Sequence, residues 1–390
     1  MVDRILDVAT ATRLVEKGGL ALQRGDAVSA RDALHPITEA GLANAQVWLM
    51  LGEAHRQLGE LEQLAVAADA LLAFDAKLIR AMIWKAECLQ AANDLPGAAS
   101  WYGNALRQSA IADRIPPSLQ PLIREAEAAA AEIDAAFGAA LEAGLNARGL
   151  PPTKRSPSFR RAIAIMRGEE AAEMDLQRPS SFYFPDLPQR RFFEREEFDW
   201  VPAVEAATDV IRTELQQALA DPALFKPYLS HTNNRPRVEF GGMHDNPSWS
   251  ALHLVDKGVP VPSLVERFPA TLAALEAVPQ CHISVRSPSI MFSLLQPGAH
   301  IAPHHGMING RLICHLPLVV PGDGALTVGG EARRWEEGKL LIFDDSIEHE
   351  AINRADSDRI VLLFDVWRPE LSEEDRRGIA ALFETVDTYR

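Results

Sequence analysis

The chain has 390 residues, of which 47% are hydrophobic and 24% charged, and its formal net charge is −15. This length accommodates two domains, and the acidic balance excludes a general binder of nucleic acid or anionic membranes, which would present a basic surface. Three cysteines without paired spacing argue against a disulfide framework. The first 19 residues carry six charges, and no apolar run approaches the roughly 20 residues of a membrane helix. We therefore predict a cytoplasmic protein without a membrane span.

The N-terminal part of the chain is predicted to be a stack of helical repeats. It is rich in Ala, Leu, Glu and Gln, and the pairs Gly25-Asp26, Gly59-Glu60 and Asn93-Asp94 recur at a spacing of 34 residues. The run from Trp48 to His55 nearly matches the tetratricopeptide pattern, and about three repeats fit, near the minimum for a stable solenoid. A further helix over 117–146 is expected to cap the stack. Such solenoids usually bind a peptide or protein, so fold analogy predicts a protein partner.

The domain bounds follow from changes in composition. We predict a tetratricopeptide-like domain over 1–148, a connector rich in Pro, Ser, Lys and Arg over 149–180, and a second domain over 181–390. In the second domain, the spacing of apolar residues predicts amphipathic helices over 201–219 and 261–275. We expect the first of these helices to pack against a sheet.

Short apolar runs separated by glycine turns begin at Ile283 and continue almost to the end of the chain. This pattern predicts strands. Because no helical segments lie between them, an antiparallel barrel or jelly roll is favoured over a parallel sheet with crossover helices. The predicted class is α+β, with a helical solenoid followed by a jelly roll.

Two histidines, His304 and His349, each follow a strand-like run and are the candidate metal ligands. A jelly roll brings such strand ends together. Imidazole suits iron(II), copper, zinc and nickel alike, so residue type does not select the metal. His305 should face away from His304, since adjacent strand residues point to opposite faces. His300 lies on the same side by alternation and is a weaker rival.

The third ligand is open at the sequence level. Iron oxygenases commonly place a carboxylate two residues after the first histidine, and that position is Gly306 here. Either water takes the place, or a carboxylate from Asp345, Glu348 or Glu350 reaches in. Water is favoured, because Glu350 adjoins a ligand and should point away.

Arg359 opens a predicted strand at a position where a buried strand should be apolar. A buried guanidinium needs a partner, and a bidentate carboxylate is its natural one. Exposure at the start of the strand is the alternative. Ser293 and His315, on other predicted strands, are candidate donors to the same carboxylate.

The segment from about Phe182 to Glu370 resembles the aspartyl/asparaginyl β-hydroxylase family of 2-oxoglutarate-dependent oxygenases. The matching pieces occur in family order and are Phe292-Ser293 with Pro297-Gly298, Pro303-His304, Arg311 to Val320, Trp335 to Lys339, Phe343 to Glu350, Arg359, and Phe364 to Leu371. The resemblance implies a double-stranded β-helix in which His304 and His349 hold iron(II) without the usual carboxylate. It further implies that Ser293, His315 and Arg359 hold 2-oxoglutarate.

The sequence departs from the family at one position. Where the family has a second arginine that binds the co-substrate, this chain has Ile313. Arg311, two residues earlier and on the same strand face, is the hypothetical replacement. The resemblance implies a dioxygenase that uses Fe(II), 2-oxoglutarate and O2 to hydroxylate Asp or Asn side chains of a protein or peptide docked partly on the helical repeats, releasing succinate and CO2. Two alternatives stay open: the same chemistry on a lipid or small metabolite, and a partner-binding scaffold with an inactive oxygenase domain.

Overall fold

The computed structural model describes residues 6–229, 245–284 and 286–389, and the chain forms two compact units. The first contains residues 6–139 and Tyr389, and the second contains the other described residues up to 388. This division falls inside one helix, and residues 149–180 belong to the second unit. The predicted bounds 1–148 and 181–390 stay a prediction.

The first unit is helical. Its helices are α1 (Val8–Gln23), α2 (Ala27–Glu39), α3 (Ala45–Leu58), α4 (Leu61–Phe74), α5 (Ile79–Ala91), α6 (Leu95–Ile111) and, after a 3-10 turn at Pro117–Leu119, α7 (Gln120–Ala147). Consecutive helices from α1 to α6 pack against one another, which gives three helix pairs, and α7 follows them in the chain. This arrangement confirms the predicted tetratricopeptide-like class.

The 34-residue period marks the turn inside each helix pair. Gly25, Gly59 and Asn93 have φ of 74°, 71° and 60°, in the left-handed region that favours glycine and asparagine. The acidic residue that follows ends the turn, and Asp26 and Asp94 accept hydrogen bonds from backbone N–H groups of the next helix. The repeated pair is therefore a turn followed by a helix N-cap.

The second unit contains two antiparallel sheets. The larger has the order β1 (Phe192–Phe193), β10 (Leu341–Phe343), β7 (Arg311–Val319), β12 (Arg359–Trp367), β5 (Ile290–Leu295), β3 (Trp249–Asp256) and β2 (Lys226–Pro227), with β4 (Val259–Pro260) also on β3. The smaller has the order β6 (His300–His304), β11 (His349–Asn353), β8 (Gly324–Val328) and β9 (Glu331–Arg333). The helices of this unit are α8 (Pro157–Met166), α9 (Val201–Ala206), α10 (Thr208–Leu219), α11 (Pro262–Val265), α12 (Pro269–Ala274) and α13 (Glu373–Thr388).

From β5 onward the chain alternates between the sheets: β5, β7, β10 and β12 lie in the larger sheet, and β6, β8, β9, β11 in the smaller. This alternation is the double-stranded β-helix that the resemblance implies. One buried cluster joins side chains of both sheets, including Leu295, Ile313 and Val361 from the larger sheet and Leu326 and Val328 from the smaller. A second cluster covers the other face of the larger sheet, against α9 to α12.

The single helices predicted over 201–219 and 261–275 are wrong in one respect, because each is interrupted. Ala207 separates α9 from α10, and the hydroxyl of Thr208 donates to the carbonyl of Glu205 at 2.6 Å. Residues 266–268 separate α11 from α12, which begins at Pro269, because proline disfavours helical backbone at Phe268 before it. In the described parts of the chain, no helix combines the length and apolar character needed to cross a membrane.

Candidate metal and co-substrate site

The structure brings His304 and His349 together across the smaller sheet. The two residues are partners in the β6–β11 register, and their ring centroids lie 4.1 Å apart. His304 Nδ1 lies 2.8 Å from the carbonyl of Ala302, and His349 Nδ1 lies 3.0 Å from that of Ile347. A carbonyl only accepts, so each Nδ1 carries the proton, and the lone pair of each neutral ring is on Nε2. Backbone carbonyls orient metal-binding histidines in this way.

Both rings are neutral at physiological pH. Burial, with a contribution from His349, lowers the pKa of His304 to about 4. Burial also lowers the pKa of His349 to about 4. Neutral imidazole is the form that binds metal, so the residues fit the group that the fold implies.

His300 does not join this pair. Its Nε2 lies 2.6 Å from the carboxylate of Glu350. Glu350 therefore points away from the two histidines, as its position next to His349 predicts. Within the described ranges, no three His, Cys, Asp or Glu side chains form a cluster of metal-binding geometry.

The carboxylate beside Gly306 is that of Asp345. A Cβ added to Gly306 would lie 2.1 Å from Asp345 Oδ2, and the Gly306 N–H donates to the Asp345 carbonyl at 2.6 Å. Asp345 is buried, and its Oδ1 has no hydrogen-bond partner among the described residues. Burial raises the pKa of its carboxyl group. The sequence offers three carboxylates as candidates for the third ligand position. Among them, Asp345 occupies the space where a side chain of residue 306 would begin.

Arg359 is buried, with 2% of its surface exposed. Its Nη1 donates to the Ser293 carbonyl at 3.4 Å, and its Cζ lies 4.7 Å from the ring centroid of Trp335. Its Nε has no partner, and no carboxylate of the described residues lies within ion-pair distance. Burial lowers its pKa to about 9, so the guanidinium is still charged at neutral pH. A buried cation of this kind fits a carboxylate ligand.

Ser293 and His315 lie on the same face of the larger sheet as Arg359. Val361 pairs with Ser293 and Leu363 pairs with His315, and residues two apart in β12 share a face with Arg359. Trp249 Nε1 donates to Ser293 Oγ at 3.4 Å. Burial, followed by the charge of Arg359, holds the pKa of His315 well below its usual value. The structure thus places these three predicted co-substrate residues on one surface.

Arg311 differs from Arg359 in its partners. Its Nη1 lies 3.1 Å from Asp365 and its Nη2 lies 3.4 Å from Asp345, so two carboxylates already neutralise it. Arg311 pairs with Trp367 at one end of β12, while Arg359 is at the other end, about 26 Å away at 3.3 Å per residue. Its predicted role in holding the co-substrate stays a prediction.

A buried polar network fixes the loop before His349, and sequence reasoning missed most of it. Arg368 Nη1 donates to Asp344 at 2.5 Å, and Gln177 Nε2 donates to the same carboxylate at 2.7 Å. Asn309 Nδ2 donates to Gln177 at 3.0 Å. Gln177 lies in the predicted connector, where nothing in the local pattern marks a buried amide. The sequence indicated this network only through the pair Asp344-Asp345, which is typical of a turn with hydrogen-bonding side chains.

Residues 205–369 match the model of the family "Aspartyl/Asparaginyl beta-hydroxylase". The chain is similar to human aspartate beta-hydroxylase domain-containing protein 2, at 31% identity over 53% of this chain and 55% of that protein. It is similar to mouse aspartyl/asparaginyl beta-hydroxylase at 39% identity over 36% of this chain and 19% of that protein. It is also similar to the ornithine lipid ester-linked acyl 2-hydroxylase of Rhizobium tropici, at 31% identity over 45% of this chain and 60% of that protein.

The chain thus spans about half the length of the human relative and less than a fifth of the mouse one. The matched residues include every strand from β3 to β12, and with them both histidines and Arg359. Residues 205–369 are therefore similar to the aspartyl/asparaginyl β-hydroxylase family, as the sequence motifs predict.

Proposed function

We propose that the chain is an Fe(II)- and 2-oxoglutarate-dependent dioxygenase that hydroxylates Asp or Asn side chains of a protein or peptide. The observation that carries this proposal is Arg359, a buried and charged guanidinium without an anionic partner among the described residues, in a β-helix that also pairs His304 with His349. An enzyme that bound only a metal, through the two histidines, would not need a buried cation. A dicarboxylate co-substrate accounts for both features.

Each residue has a role in this proposal. Neutral His304 and His349 would hold iron(II), and Asp345 would accept a hydrogen bond from a water that takes the third position. Arg359 would pair with the far carboxylate of 2-oxoglutarate, with Ser293 and His315 as hydrogen-bond donors. When bound, iron and co-substrate supply the oxidising chemistry that inserts one oxygen atom of O2 into a C–H bond, with succinate and CO2 as co-products.

Two relatives favour different substrates. The mouse relative is named for action on aspartyl and asparaginyl residues, and the Rhizobium tropici relative for action on the acyl chain of a lipid. The helical repeats of the first unit favour the peptide, because solenoids of this class bind peptides and proteins. Hydroxylation of a lipid or small metabolite is the second candidate, carried by the similarity to the lipid hydroxylase.

The test is succinate release by the purified chain with Fe(II), 2-oxoglutarate and O2. We expect slow release without a prime substrate and none from His304→Ala or His349→Ala, with His300→Ala as the matched control that keeps activity. Absence of succinate from the wild type under all conditions would support the inactive scaffold instead. A gain of 16 Da on Asp- or Asn-containing peptides, against the same assay with ornithine lipids, distinguishes the two substrates.

A further inference from the structure

Trp335 contacts two of the three side chains proposed to hold 2-oxoglutarate. It lies two residues after β9, is 5% exposed, and belongs to the cluster between the two sheets. Its ring faces the guanidinium of Arg359, with 4.7 Å from Cζ to the ring centroid. Its Nε1 lies 3.4 Å from Nδ1 of His315.

The indole fixes which nitrogen of His315 carries the proton. An indole N–H only donates, so the His315 nitrogen that faces it must be an unprotonated acceptor. A neutral imidazole has one N–H, which is then on Nε2. His315 therefore has a defined N–H donor before any ligand binds. Without the indole, the neutral ring would distribute between its two tautomers.

The same ring holds Arg359 without neutralising it. The face of an indole attracts a guanidinium but occupies none of its N–H groups. A carboxylate from the protein would instead form the bidentate pair that an incoming ligand needs. Trp335 thus stabilises the buried cation without using any of its N–H donors.

We infer that Trp335 is a positioning residue for the co-substrate, which sets the tautomer of His315 and supports the guanidinium of Arg359. This inference rests on the proposed function. The competing explanation is that Trp335 only fills space in the core, as a buried tryptophan usually does. The two explanations differ in what a phenylalanine at this position would do.

The matched set of variants is Trp335→Phe, Trp335→Leu and Trp200→Phe. Phenylalanine keeps an aromatic face but removes the N–H, and leucine removes both. Trp200 is the control, because it packs against Phe198 and Phe364 in the other cluster of the same unit and its Nε1 has no partner among the described residues. Losing that indole removes packing but no hydrogen bond.

The first measurement is the dissociation constant of 2-oxoglutarate by calorimetry with Mn(II) in place of iron. Trp335→Phe should weaken binding about fivefold, the value of one hydrogen bond. Trp335→Leu should weaken it about fiftyfold, since the cation–π contact is lost as well. Trp200→Phe should bind as the wild type does. Equal affinities of Trp335→Phe and Trp200→Phe would overturn the inference.

The second measurement is the 15N NMR spectrum of His315 in metal-free protein, assigned with His315→Gln. Nδ1 should be the unprotonated nitrogen in the wild type and in Trp200→Phe, and a mixture of tautomers should occur in Trp335→Phe. A protonated Nδ1 in the wild type contradicts the inference regardless of activity. A wild type that binds no 2-oxoglutarate contradicts the proposed function itself, whereas a binding wild type with an unaffected Trp335→Phe contradicts only the role of Trp335.

Discussion

Arg359 is a buried charge that the protein leaves without a countercharge of its own among the described residues. Such burial costs free energy, because the guanidinium loses water and gains only an aromatic face and one long hydrogen bond to a carbonyl. Arg311 differs from Arg359 in this respect, because it forms ion pairs with Asp345 and Asp365. Two arginines of one sheet thus have opposite electrostatic surroundings.

Replacing Arg359 with methionine should raise stability and abolish co-substrate binding. We expect the free energy of unfolding of the ligand-free protein to rise by about 1 kcal/mol or more, because an uncompensated buried charge is removed. The 2-oxoglutarate affinity should fall about a hundredfold, because the charge-assisted bidentate pair is lost. Urea denaturation and calorimetry measure the two effects. Arg311→Met is the control and should destabilise by about 3–5 kcal/mol, since it leaves two buried carboxylates unpaired; equal stability changes in both variants would contradict this account.

Gly306→Ala should displace Asp345. Its Cβ would lie 2.1 Å from Asp345 Oδ2, so the carboxylate must shift, and the free energy of unfolding should fall by about 1–3 kcal/mol. In a double-mutant cycle with Asp345→Gly, the coupling should be about 1 kcal/mol or more, because the clash disappears with the carboxylate. Urea denaturation of the four proteins gives the coupling, and additive changes would show that the two residues do not meet.

Protonation of His304 and His349 should destabilise the metal-free protein in acid. Their pKa values are about 4 when folded and about 6.5 when unfolded. As pH falls below 6.5 the unfolded chain takes up protons first, so this contribution to stability is complete above pH 6.5, decreases towards pH 4, and levels off below it. The slope of unfolding free energy against pH between 4 and 6.5 should be smaller in His304→Asn/His349→Asn than in the wild type. Identical slopes would mean that these two rings are not the buried neutral groups described above.

At the scale of elements, the helical repeats depend on small residues where helices meet. A Cβ on Gly52 of α3 would lie 2.2 Å from the ring of Trp84 in α5, which is fully buried. A Cβ on Gly18 of α1 would lie 2.7 Å from Leu34 of α2. The 34-residue spacing of Gly18 and Gly52 therefore reflects close packing, in addition to the repeated turns.

Gly52→Ala and Gly19→Ala should have opposite effects on stability. Alanine at Gly52 overpacks the contact with Trp84 and should cost about 1–3 kcal/mol. Alanine at Gly19, a neighbour of Gly18 in α1, meets only Met50 Sδ at 3.7 Å and should stabilise by about 1 kcal/mol through helix propensity. Urea denaturation followed by circular dichroism at 222 nm compares the helical signal of both variants. A stabilised Gly52→Ala would show that α3 and α5 do not pack as described.

The strands place the site by register. The two histidines meet because β6 and β11 are neighbours, although 45 residues separate them in the chain. Ser293, His315 and Arg359 share a face because β12 lies between β5 and β7. A one-residue slip in β12 would turn Arg359 towards the helix-covered face, so the site requires this register.

At the scale of the whole molecule, the two units carry separable parts of the proposal. The residues proposed to hold metal and co-substrate all belong to the second unit, while the peptide-binding expectation rests on the first. Deleting residues 1–111, which contain α1 to α6, should leave substrate-independent succinate release intact and raise the KM for a peptide substrate at least about tenfold. The complementary control is the point variant Arg359→Met. It should lose succinate release while its helical repeats stay intact. An unchanged peptide KM after the deletion would favour the lipid or metabolite as substrate.

The amino-acid sequence by itself determines the fold class and selects the candidate site residues. Helical and strand periodicities are local, so they indicate the solenoid and the strands, and the motifs around His304, His349 and Arg359 carry the family resemblance. Long-range contacts are not local, and only the tertiary structure decides them: Asp345 beside Gly306, Trp335 between His315 and Arg359, and Gln177 on Asp344. The physical reason is that strand register and loop packing bring distant residues together, and a hydrogen-bond partner far along the chain leaves no trace in the local pattern of residues.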